Sequence, residues 1–284
     1  MITIALDLLA PYDFAFFQRG MVAATLAGAL CGVLGVFVVL RGMSYIGHGL
    51  SHAVFGGAAA SAVMSINFFV GAGIWGVISG VLIGRIARQK IIGADAAIGI
   101  VTTASFAGGI ALLNRYGQAR KSIEAVLFGS VLGVSWADIA AIAAVSLAVG
   151  AIVLFAYRAF LFATFDPQVA TVSGERVAAI EVILMVMLSV TILVTMRVIG
   201  TLLISALLVI PAATARMITN SFSRMLMLSP IIGAACCLVG MNLSYHLDTS
   251  AGATIILVAA AVFTATYLLA GRRARLRVAS LHHL

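Results

Sequence analysis

The chain has 284 residues, of which 63% are hydrophobic and 9% charged, with a formal net charge of +8. A soluble domain carries about 25% charged residues, so this composition cannot cover a globular surface with polar groups, and a soluble protein is excluded. The apolar runs are continuous rather than alternating, which argues against strands and for an all-α, polytopic membrane protein whose helices satisfy their own backbones.

At about 20 residues per crossing, spans are predicted at 20–40, 45–66, 69–88, 95–113, 137–156, 177–197, 199–218, 226–245 and 251–270, eight to nine helices in one domain over 1–284. With the N-terminus outside, all but five of the 17 basic residues (Arg19, Arg115, Arg120, Lys121 and Arg197) fall on the cytoplasmic side. The positive charge is therefore topological, and no nucleic-acid partner is expected. The N-terminus has no basic stretch and carries Asp7, Pro11 and Asp13, so it does not read as a removable leader. In the first and third spans, Gly28, Gly32 and Gly35 and then Gly76, Gly80 and Gly84 recur at helix-packing spacing, which serves internal packing or a dimer face.

The second span opens with GMSYIGHGLSHAVFGG over 42–57, which holds two of the five histidines. His48 and His52 stand four apart, so a helix places both rings on one face within reach of a common ion. If that helix starts near Arg41, His48 lies roughly 10 Å deep and His52 near the midplane. Ionisable groups at that depth face a cavity or each other, and neutral imidazole suits zinc, manganese or iron. Gly47, Gly49, Gly56 and Gly57 are expected to keep that face open.

Two stretches between spans carry signals. In 114–136, AVLFGSVLGV is too short to cross; a re-entrant piece and an amphipathic helix lying on the bilayer both fit. In 158–176, Asp166 can cap a helix whose first residue is Pro167, and Gly174 can end it, giving a cytoplasmic helix of about two turns. Just beyond, Glu181 snorkels or pairs with Arg176 or Arg158.

The seventh span carries Pro211 with Ser205 and Thr214 nearby, a bent, hydroxyl-bearing helix of the kind that lines pathways or simply packs. At the outer end of the eighth, His246 and Asp248 are candidates for the outer mouth of a pathway or solvated loop residues. His282 and His283 read as solvated, and Cys31, Cys236 and Cys237, without ligand spacing, as small buried side chains. The dipeptide Gly-Lys occurs nowhere, so no phosphate-binding GxxxxGK[ST] loop can form.

FVVLRGMSYIGHGLSHAVFGG (37–57), DAAIGI (95–100), VLFGSVLGVSW (126–136), FDPQVATVSG (165–174), LLISALLVIPAATAR (202–216) and LSYHLDTSAGATIILVAA (243–260) follow one another along the chain. In these motifs the sequence resembles the membrane permease subunits of ABC-type metal-ion importers of the zinc, manganese and iron branch. The resemblance implies a multi-pass protein of a bacterial-type plasma membrane. It also implies a homodimer carrying cytoplasmic ATP-binding subunits and fed by an extracytoplasmic metal-binding protein. The permease itself would be no enzyme and would hold no resident cofactor; the divalent metal, zinc or manganese, is cargo. Segment 165–174 is similar to the coupling helix, with Asp166, Ala170 and Gly174 at the positions that engage the ATPase. His48 stands where the family usually has aspartate, and two imidazoles without a carboxylate lean toward zinc, since hard Mn²⁺ prefers oxygen. A gradient-driven carrier or channel would instead call for an inverted repeat and deep acidic relays, and the sequence shows neither.

Overall fold

The structure is a computed structural model that describes residues 10–88, 92–116 and 133–281. After a 3₁₀ turn at Ala10–Asp13 come α1 (Ala15–Leu40), α2 (Ile46–Val63), α3 (Phe68–Arg88), α4 (Ala94–Tyr116), α5 (Trp136–Phe155), α6 (Tyr157–Phe165), α7 (Pro167–Val172), α8 (Val177–Ile218), α9 (Phe222–Leu247) and α10 (Ala251–Leu281). The described residues contain no strand. Among the described residues, seven stretches are long and apolar enough to cross a membrane: α1, α4, α5, α9, Phe68–Ala87 of α3, Val177–Met196 of α8 and Ala251–Ala270 of α10. The other two predicted spans are the 18-residue α2 and the shorter apolar stretch Leu203–Ile218. The stretch 114–136 lies largely outside the described residues, as do His282 and His283.

The two predicted spans at 177–197 and 199–218 meet in α8 at Gly200, whose φ of 75° and ψ of 159° interrupt the helix. Glycine alone adopts that backbone readily. Pro211, where a bend is expected, keeps helical backbone angles within α8 and lies against Gly233 of α9.

α1 is the hub, with 67% of its apolar window buried against 17% for α10. The first glycine row explains its contacts. A Cβ on Gly28 would stand 2.6 Å from the Gly233 carbonyl oxygen, and one on Gly32 2.6 Å from Pro230 Cα. A Cβ on Gly35 would meet the Leu208 carbonyl. Ser229 Oγ then donates to the Gly32 carbonyl at 2.7 Å. The second row does the same between α3 and α8, where Ser189 Oγ donates to Gly76 O at 3.0 Å. Both rows are seams within this chain.

α1 ends in a Schellman motif: Gly42 N–H donates to Val39 O at 3.2 Å and Met43 N–H to Val38 O at 2.9 Å, with Gly42 at φ +67°. Its end meets α6 and α9 through Phe37, whose ring lies 5.2 Å from Phe160 and 5.7 Å from Phe222. The opposite end of the bundle joins Tyr12, Phe17 and Tyr245, with Asn242 Nδ2 donating to Tyr12 Oη at 2.9 Å.

α7 forms as its sequence dictates. Asp166 Oδ1 accepts from the N–H of Gln168 at 3.0 Å and of Val169 at 2.9 Å, and Pro167 occupies the first position, where no N–H is needed. Gly174, at φ +88°, closes it: its N–H donates to Thr171 O at 3.1 Å and that of Glu175 to Ala170 O at 2.9 Å.

Candidate functional site

α2 begins at Ile46 rather than near Arg41, because the Schellman turn spends residues 41–45 in reversing the chain. His48 is consequently in the first turn and His52 in the second. The pair is still not at the edge of the bundle. Leu208 meets Gly47 as well as Gly35, five residues before the end of α1, which sets the start of α2 about 7 Å inside that end.

The expected role of the glycines is corrected. They do not hold space open; they let three helices close on α2. A Cβ on Gly47 would stand 2.6 Å from Leu208 Cδ1, on Gly49 2.5 Å from Ile98 Cγ2, and on Gly57 2.5 Å from Trp75 Cβ. One on Gly56 would meet the Ser105 carbonyl. These glycines carry α8, α4 and α3 on their sides of the helix, and at about 100° per residue the histidine face is the side left over. From Ile46 to Ala59 every residue is buried except His48 and His52.

On that face the two Nε2 atoms are 3.2 Å apart, with ring centroids 4.5 Å apart and planes at 83°. As placed, one Nε2 donates to the other. His52 Nδ1 is buried without a partner, so a lone pair there costs less than an orphan N–H, which puts the His52 proton on Nε2. Binding an ion through both Nε2 atoms moves the His52 proton to Nδ1; two metal–nitrogen bonds of about 2.1 Å then span 3.2 Å at an angle of roughly 100°, within reach of tetrahedral or octahedral coordination. Phe106 of α4 flanks His52 at 4.8 Å and Tyr45 flanks His48 at 5.2 Å. Tyr45 lies within the 37–57 motif, whereas Phe106 carries no periodic or motif signal that would have singled it out in the sequence.

The remaining candidates separate. Ser205 adjoins the site, its Cα lying 3.6 Å from where a Gly47 Cβ would be. Thr214 is fully buried and donates to Ile210 O at 2.8 Å, and Pro211 faces α9. His246 and Asp248 end α9 at the opposite end of the bundle. Asp248, exposed, takes the left-handed cap position at φ 52°, and His246 Nε2 is buried without a partner. Among the described residues, no three His, Cys, Asp or Glu side chains come together as an ion site.

At α7, Asp166 and Gly174 form the caps, and Ala170 is fully buried. The exposed apolar side chains there are Val169 and Val172, the latter 90% exposed. The Glu181 carboxylate favours the charged form of Arg41, rather than pairing with Arg176 or Arg158 alone as the sequence suggests.

The sequence profile of the ABC 3 transport family matches residues 13–270. The chain belongs to the ABC 3 transport family. It is a multi-pass membrane permease of the bacterial plasma membrane. The permease is 35% identical over 261 residues to the manganese transport system membrane protein MntC of Listeria innocua, covering 92% of this chain and 93% of that protein. It is 30% identical over 253 residues to the chelated iron transport system membrane protein YfeD of Yersinia pestis, covering 89% and 85%. A chain of PsaBC from Streptococcus pneumoniae, solved in complex with a Fab, superposes with a TM-score of 0.82 at 32% identity, covering 92% of this chain and 94% of that one.

Proposed function

We propose that this permease, a single membrane domain, is the translocating subunit of an ATP-driven importer of a divalent transition metal ion, and that His48 and His52 together hold the ion in transit. One observation carries this reading: along the buried half of α2, the two residues left unburied are imidazoles whose Nε2 atoms stand 3.2 Å apart. The names of the relatives favour manganese or iron as cargo over the zinc that two imidazoles alone would favour. Ser205 flanks the site at the start of α2, with Pro211 and Thr214 shaping the same limb of α8. His246 and Asp248 belong to the outer mouth, where an extracytoplasmic metal-binding protein delivers the ion.

ATP is bound and hydrolysed by a separate cytoplasmic subunit seated on α7, whose shape depends on Asp166, Ala170 and Gly174. Two copies of the permease flank one pathway, which opens outward and then inward as α7 moves. The test is uptake into liposomes holding the permease with its ATP-binding subunit, supplied with metal-loaded binding protein. ATP-dependent uptake of manganese or iron that vanishes in His48→Ala/His52→Ala is expected. Uptake without ATP, or uptake that survives the double substitution, overturns the reading.

A further inference from the structure

We infer that Arg41 is a positioning residue that ties both arms of the α7 hairpin to the turn from which the histidine helix starts. The inference rests on the importer reading above. Arg41 is the C-cap of α1 and stands seven residues before His48. Its side chain reaches the segment before α7, where Nε donates to Thr164 Oγ1 at 3.4 Å. Its charge is coupled to Glu181, on the first turns of α8, the segment after α7. One guanidinium is thus hydrogen-bonded to the segment before α7 and feels the carboxylate on the segment after it, although Thr164 lies 123 residues away in sequence.

The turn it belongs to is stiff. Gly42 and Met43 are both bonded back to α1, Met43 is buried, and α2 begins at Ile46. Phe37, one turn earlier, rests on Phe160 of α6. A displacement of α7 thus has a short mechanical route: through α6 and α8 to Arg41, and through a hydrogen-bonded turn to His48. The tie is also unsaturated. Arg41 Nη2 is buried without a hydrogen-bond partner, which leaves a donor for a second arrangement in which the hairpin has shifted. A planar fork with five donors can exchange partners in a way a lysine ammonium cannot. Coupling through a contiguous polar network requires an element with two arrangements, and the spare Nη2 donor is the group we assign to the second.

The experiment measures metal ions transported per ATP hydrolysed in liposomes containing the permease, its ATP-binding subunit and loaded binding protein. Wild type is compared with Arg41→Gln, Arg41→Lys and Thr164→Val, and metal binding to each solubilised permease is measured alongside. Thr164→Val removes the hydrogen bond but keeps the Arg41 charge opposite Glu181, so it serves if Arg41→Gln does not fold. The expected result is a transported-to-hydrolysed ratio that falls about three- to tenfold in Thr164→Val and Arg41→Lys, and further in Arg41→Gln, while metal affinity and ATP hydrolysis stay within about twofold of wild type. Uptake and hydrolysis falling in the same proportion, or an unchanged ratio, overturns the inference and marks Arg41 as structural. Wild type that transports no metal would instead defeat the importer reading.

Discussion

The Nε2 atoms of His48 and His52 face each other at 3.2 Å from successive turns of α2, on the side of that helix that α3, α4 and α8 leave least covered. Removing either ring deletes half of the donor set this chain brings together there. His48→Ala and His52→Ala are each expected to weaken metal binding about 100-fold, at or beyond the upper end of the loss typical for a mere supporting partner. Titration calorimetry on the solubilised permease measures this. Binding that stays within threefold in either variant would move the site elsewhere.

His48→Asp tests cargo choice. It exchanges an imidazole for a hard oxygen donor on the same helix face, and harder ligands favour Mn²⁺. The ratio of manganese to zinc affinity is expected to rise about tenfold, read by competition between the two ions for one protein sample. An unchanged ratio would show that selectivity is set by groups other than the residue at 48.

The glycines of α2 give a stability prediction with an internal control. Gly56→Ala drives a methyl into the Ser105 backbone, which cannot step aside, and is expected to cost about 1–3 kcal/mol. Gly99→Ala and Gly108→Ala, on the neighbouring α4, meet nothing within 4 Å and are expected to leave thermal unfolding in detergent unchanged or slightly raised. Equal melting shifts in all three would contradict the close approach of α2 and α4.

The nine helical segments were legible because apolar length is a property of the sequence alone, and α7 was legible because its caps are local: Asp166, Pro167 and Gly174 lie within nine residues of one another. The histidine pair was visible for the same reason, since i, i+4 spacing needs no tertiary information. What could not be read was relational. The glycines of α2 looked like open space because sequence gives no neighbours, and they turn out to be contact points for three other helices. The break in α8 falls where two predicted spans meet, but nothing in the sequence marked Gly200 as the residue that makes it. Arg41 counted only as a cytoplasmic charge until the fold brought Thr164 and Glu181 to it.

Asp248 separates a structural role from a pathway role at the outer end. Its backbone is left-handed at φ 52°, and Ser244 Oγ donates to Thr249 O at 2.6 Å across the same turn. Asp248→Gly fits that backbone and is expected to keep the melting temperature, whereas Asp248→Val is expected to lower stability by about 1 kcal/mol or more. If the carboxylate also guides the ion, Asp248→Gly slows uptake from the binding protein without touching stability. Full uptake in Asp248→Gly would confine the residue to capping.

The last prediction concerns which part of α7 would meet the ATP-binding subunit we propose is seated there. Asp166 and Gly174 shape the helix, and Ala170 is turned inward at 0% exposure, so these three act on the seat rather than at the contact. Val172, 90% exposed, is more fully presented outward than Val169, the other exposed valine of this short helix. Val172→Asp places a charge where an apolar partner surface must close, and desolvating it there has no compensating group on α7. Co-purification of the ATP-binding subunit is expected to be lost in Val172→Asp while the permease alone melts as wild type does. Asp166→Ala, losing two hydrogen bonds to the first turn, should cost α7 about 1 kcal/mol and weaken co-purification only in part. The reverse order, with Asp166→Ala abolishing assembly and Val172→Asp tolerated, would place the contact on the capping carboxylate instead.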